Sequence, residues 1–120
     1  MGRKIHPLGM LLSLLIASCA TSQSRYVMLG EAYPPRSPDC NVEIFRTGNP
    51  SKKFVKISRL DVHLEKTLFL SSTFESALPE LKKQACLSGA DAVIEIQERS
   101  SGVGETRIYH VTATGIKYAE

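Results

Sequence analysis

No tryptophan occurs in the 120 residues, aromatic side chains make up 7%, and neither sign of charge dominates, with 15 lysines and arginines against 12 aspartates and glutamates. Two of the basic residues, Arg3 and Lys4, fall in a segment expected to be removed. The remaining excess is about one positive charge, with no basic field of the kind that attracts nucleic acid. Nor does any apolar run reach the roughly 20 residues that a helix needs to span a bilayer. No internal repeat is present. The glycines of GVGE (102–105) lack the rest of a phosphate loop and read as a hairpin tip. Asp61, Glu65, Glu95 and Glu98 alternate with apolar residues as solvated faces do, so no acid/base pair stands out and no catalytic residue is assigned. What remains is one small domain of ordinary composition, 42% hydrophobic and 22% charged.

The N-terminus is more specific. Arg3 and Lys4 form a positive start, residues 7–16 a short apolar run, and Ala17 and Ser18 stand before Cys19, the three-part layout of a secretory signal. The segment IASC, ending at Cys19, resembles the lipobox of bacterial lipoproteins. That resemblance implies a diacylglyceryl group on the Cys19 sulfur, cleavage after residue 18 and acylation of the new amine. The thiol is a suitable nucleophile, and several acyl chains hold a protein on a membrane where one holds it only marginally. The residue after Cys19 is Ala20 rather than the aspartate of inner-membrane retention, which implies the outer membrane.

Residues 19–39 read as the lipidated cysteine and a flexible spacer, polar at first and then broken by Pro34, Pro35 and Pro38. Within it, YVML (26–29) is either a sticky piece of linker or a short edge strand. The folded part then follows as residues 40–120. NVEIF (41–45) is rich in strand formers, and Gly48, Asn49 and Pro50 mark a loop. FVKISRLDVHL (54–64) alternates apolar and polar residues but changes phase near Ser58 and Arg59, as a β-bulge would require. Phe74, Leu78, Leu81 and Ala85 then recur at helical spacing. Pro79 is tolerable there if the cap is Ser76 or a residue just before it, and Gly89 supplies the stop. The hydroxyl run Ser71, Ser72 and Thr73 suits capping rather than nucleophilic chemistry. Residues 91–99 and 106–118 complete a β-β-α-β-β order. The fold expected is α+β, a two-layer sandwich with one helix on a four-stranded, mostly antiparallel sheet.

Setting Cys19 aside leaves Cys40 and Cys86, an even pair in a chain expected to mature in an oxidising periplasm. A disulfide is expected. Two buried thiols, or a redox or metal role, are the alternatives. His63 faces away from the core side of its strand and His110 lies between Tyr109 and Val111. With Cys40 and Cys86 they give no recognised zinc spacing, so no metal or other cofactor is assigned.

CNVEIF, the helix ending KKQACLSGADAVI (82–94) and the closing ATGIKY are similar to small bacterial lipoproteins and periplasmic domains related to the Rcs-pathway envelope stress sensor and the YbjQ-like domains. In those groups a helix and a GADAV-type corner feed a central strand of a small α+β fold. Gly89, Ala90 and Asp91 are accounted for by packing and turn chemistry. The resulting expectation is a non-enzymatic, lipid-anchored outer-membrane protein with its domain toward the periplasm. It would contact an envelope protein as a sensor or an accessory of an outer-membrane complex. The alternative is a small-ligand or metal-binding module using His63 or His110.

Overall fold

In a computed structural model of the chain, residues 20–67, 73–104 and 106–119 are described. Residues 1–18, the lipidation candidate Cys19, the capping candidates Ser71 and Ser72, and Glu105 lie outside the described residues.

The elements run β1 (Ala20–Met28), β2 (Glu43–Ile44), β3 (Phe54–Thr67), α1 (Phe74–Leu87), β4 (Ala92–Val103) and β5 (Thr106–Tyr118). All the strands share one sheet in the order β1-β3-β5-β4-β2. Among the described residues, the expected four strands in β-β-α-β-β order are therefore corrected to five in a mixed sheet. β2 lies parallel to β4 while the other pairs are antiparallel. The additional strand is β1, which comes from the stretch expected to be a spacer.

α1 covers one face. Leu60, Val62 and Leu64 of β3 and Tyr109, Val111 and Ala113 of β5 point into the core beneath Phe74, Ala77, Leu81 and Ala85. These side chains lose essentially all contact with water, and each large one contributes about 1.5 to 3 kcal/mol of burial. The helix begins earlier than expected, with Thr73 as its N-cap. Ser76 Oγ accepts a hydrogen bond from the Thr73 amide at 2.8 Å. This start leaves Pro79 inside the helix, where the missing amide removes a hydrogen bond, but it buries both Phe74 and Ala77.

Ser24 fastens β1 to α1. Its hydroxyl donates to Glu80 Oε2 at 2.5 Å and accepts from Gln84 Nε2 at 2.9 Å. These partners are one helical turn apart and so share a face.

The proline-containing residues 29–41 are not a loose linker in this fold. They run along the corner between α1 and β4. The Arg36 amide donates to the Cys86 carbonyl at 2.8 Å, and Arg36 Nη1 donates to the Ala90 carbonyl at 2.7 Å. The Cys40–Cys86 disulfide, with Cα atoms 5.8 Å apart, closes this strap. Gly89 sits beneath it at φ +88, where a side chain would meet the Pro34 carbonyl oxygen at 2.8 Å. Both the left-handed backbone and the close approach thus require glycine.

At the same end of the sheet, the Tyr118 hydroxyl donates to Glu43 Oε1 at 2.6 Å. Burial first, and this hydrogen bond second, push its pKa up to about 12 from an ordinary 10.0. Between those values the unfolded chain releases the proton while the folded chain retains it. Stability is therefore undiminished by this group below pH 10 and falls as pH rises through the window. Absorbance titration at 295 nm should show a tyrosine ionising near pH 12 that disappears in Tyr118→Phe and moves down in Glu43→Gln. A Tyr118 titrating with the ordinary midpoint would contradict the assignment.

Candidate functional site

The face of the sheet away from α1 carries a set of paired histidine, carboxylate and arginine side chains. Strand pairing fixes which ones meet. Gln23 lies opposite His63, His63 opposite His110, and His110 opposite Arg99, giving one row across four strands. The next row holds Arg25, Asp61, Thr112 and Gln97. Because side chains alternate along a strand, the residues that bury Leu60, Val62 and Leu64 inward turn Asp61 and His63 outward.

His63 and His110 are edge to face, with ring centroids 5.6 Å apart. Each ring has its own carboxylate partner: His110 Nε2 lies 2.5 Å from Asp61 Oδ1, and His63 Nε2 lies 2.9 Å from Glu65 Oε2. Arg25 adds a looser contact to Asp61 at 3.8 Å. Gln23, Ser24, Arg25, Asp61, His63 and His110 line an open hollow of about 480 Å³. A smaller hollow of about 250 Å³ continues on the other side of His110, toward Arg59, Gln97 and Arg99.

Glu95 extends this polar face. Its φ of 56° is the one positive value among described residues other than glycine, and it falls where the β4–β5 register shifts between Ile94 and Gln97. A non-glycine residue in that region is strained by about 1 to 3 kcal/mol, and such strain is often found where a side chain must be aimed. Lys56 Nζ, at 2.7 Å, and Thr114 Oγ1, at 2.7 Å, hold its carboxylate. The Lys56 hydrogen bond, followed by that from Thr114, lowers its pKa below the usual carboxylate value. Beyond Glu95 the face turns apolar, with Ala92, Ile94 and Ile116 packed against Phe45, Phe54 and Tyr118.

Among the described residues, no group of three or more His, Cys, Asp or Glu side chains has an arrangement that could hold a metal ion. Cys40 and Cys86 are engaged with each other, which settles their pairing, and they lie at the strap rather than on the open face. The arrangement is suited to hydrogen bonding and ion pairing with a polar surface. Alternation along β3 reveals in sequence that His63 points outward. It does not reveal the pairing with His110, which depends on a β3–β5 register spanning 47 positions of the chain.

Among the described residues β1 is the outermost strand on one side of the sheet, and Val27 near its end and Leu29 just past it are each 54% exposed. No helix among the described residues is long and apolar enough to cross a membrane.

No family model and no curated protein matches the chain. Among solved structures it is similar to the Francisella virulence factor FvfA, crystallised in an orthorhombic form. The TM-score is 0.55 and the identity 16%, over 79% of this chain and 97% of that one. At this identity the likeness shows a shared fold.

Proposed function

We propose that the protein is a non-enzymatic, lipid-anchored component of the bacterial outer membrane. Its domain makes protein contacts in the periplasm, as a sensor or as an accessory of an outer-membrane complex. The observation that carries this reading is the position of the lipobox-like IASC segment directly before an edge strand. That strand is nine residues long, contains no proline and ends beside exposed apolar side chains. An unprotected edge offers a row of backbone donors and acceptors to an incoming strand, and scattered apolar groups beside it add affinity. The rows across His63 and Asp61 provide polar specificity next to that edge.

Intact-mass measurement on protein from its native host should find residue 19 at the N-terminus carrying acyl groups, and Cys19→Ser should leave the membrane fraction. Crosslinking in intact cells should recover an envelope protein with the wild-type chain. The yield should fall several-fold with Val27→Lys/Leu29→Lys. Equal recovery with that variant would remove the edge from the proposal.

A second reading, a small-ligand or metal-binding module, draws on the adjacency of His63 and His110. Metal analysis of the mature protein beside His63→Ala/His110→Ala tests it, and absence of bound metal from both proteins rules out the metal form.

A further inference from the structure

The structure leaves almost no slack between the expected anchor and the sheet. β1 begins at Ala20, the residue after Cys19, and pairs along its whole length with β3. One peptide step, about 3.8 Å between Cα atoms when trans, is all that lies between Cys19 and the first strand residue. A flexible spacer would let the domain take any orientation, whereas a strand attached at its first residue brings one particular end of the sheet to the bilayer.

Register identifies that end. Ala20 pairs with Lys66, Lys66 with Arg107, and Arg107 with Gly102, so a single row across β1, β3, β5 and β4 shares the level of Ala20. Arg107 in this row is exposed, and Ser101 and Gly102 beside it are exposed as well. The opposite end holds Lys53, whose carbonyl accepts from the Ala119 amide at 3.0 Å, together with the disulfide strap. Eleven residue steps along β3 separate Phe54 from Glu65, the partner of Ile108 beside Arg107, which is about 35 Å at the usual rise per residue.

We propose that the sheet end bearing Ala20, Gly102 and Arg107 is a membrane-contact surface for phospholipid headgroups. The strands stand steeply on the bilayer, and the polar face of His63, Asp61 and Arg99 turns sideways into the periplasm. The inference rests on the acylation of Cys19 proposed above. The level of Ala20 supplies the geometry, and Arg107 supplies attraction to headgroup phosphates. A basic residue at an anionic surface strengthens binding by about fivefold. The surface presented to partners would then be the β1 edge and the open face, while the Cys40–Cys86 strap would lie farthest from the lipid.

The absence of tryptophan makes a direct test available, because one introduced indole is the only such fluorophore in the chain. Ser101→Trp and Lys53→Trp would be placed in vesicles containing anionic phospholipid and a headgroup nitroxide quencher. Each would be prepared in two ways: as the mature protein from membranes, and as the chain starting at Cys19 with a synthetic diacyl maleimide on that thiol. The second form contains every described residue, and its other cysteines are held in the disulfide. The expected result in both forms is loss of most emission from Ser101→Trp and none from Lys53→Trp. Adding Arg107→Glu should reduce the Ser101→Trp quenching without detaching the protein. Equal quenching at both sites, or stronger quenching of Lys53→Trp, overturns the proposed orientation. If the native protein carries no lipid, the functional proposal fails, while the synthetic anchor still determines whether this end of the sheet meets the bilayer.

Discussion

Replacing Cys40 and Cys86 together by alanine is expected to lower the unfolding free energy by about 4 kcal/mol, the loop-closure value for a separation of 46 residues. For a domain of this size that is a large share of the roughly 5 to 15 kcal/mol of total stability, and it corresponds to a fall in Tm of roughly 15 to 30 °C. Alanine is the appropriate replacement because Cys86 is fully buried, and serine would leave a hydroxyl there. Urea unfolding should show a lower midpoint with a slope at least as steep, since an uncrosslinked unfolded chain exposes more surface. Reduced wild-type protein should behave like the double variant. The loss should also be visible locally, because the strap is otherwise held by the Arg36 amide bonded to the Cys86 carbonyl and by Arg36 against Ala90 and Asp91. Hydrogen exchange at the Arg36 amide should therefore accelerate more than exchange in β3 or β5. A loss below about 1 kcal/mol would mean that the strap is held by Arg36 and by packing rather than by the crosslink.

The parts of the fold that were legible in sequence are those where burial on one side enforces a period. β3 shows this best: its phase change near Ser58 corresponds to the register shift between Lys56 and Ser58. β1 was much less legible. Its core-side positions are Ser22, Ser24, Tyr26 and Met28, so the apolar half of the alternation begins only at Tyr26, giving just the YVML signal. Ser24 is inward because it hydrogen-bonds Glu80 and Gln84 on α1, a contact about 60 positions away that no local pattern encodes. The helix start differs from the sequence expectation for a similar reason. Pro79 argues locally for a cap at or just before Ser76, but burial of Phe74 and Ala77 draws the helix back to Thr73. Proline-rich residues 29–41 resembled a linker because their partners, the ends of α1 and β4, are distant in sequence. On the open face, the outward direction of His63 followed from alternation. Its neighbours required the sheet order, and the position of Glu95 required a bulge that the alternation of Ala92, Ile94 and Ile96 conceals.

Of the described glycines, Gly115, in the corner beneath the end of α1, has the least room for a side chain, and Gly115→Ala should expose that constraint. Gly115 lies opposite Ser58 on β3 and Val93 on β4, on the face toward the helix. A Cβ atom there would collide with Ser58 Oγ and lie 3.1 Å from Ala90 Cβ and 3.5 Å from Ser88 Oγ. None of these groups can retreat easily. Ser88 Oγ donates to the Ala85 carbonyl at 2.9 Å, so the bond of 2.8 Å between the two hydroxyls uses the Ser58 proton, and both serines are buried. Inserting a methyl group should therefore cost about 3 kcal/mol, the upper part of the range for overpacking. Gly30→Ala, where no described residue beyond its chain neighbours comes within 4 Å of the added carbon, should change stability by less than about 0.5 kcal/mol and serves as the control. Ser58→Ala alone should cost about 1 kcal/mol for one buried hydrogen bond. Combining it with Gly115→Ala removes the oxygen that the methyl group strikes. The pair should then be less destabilised than the sum of the singles by about 1 kcal/mol or more. Additive losses would show that Ala90 and Ser88 set the limit and that the helix end itself, rather than the Ser58 hydroxyl, determines how closely α1 approaches the sheet.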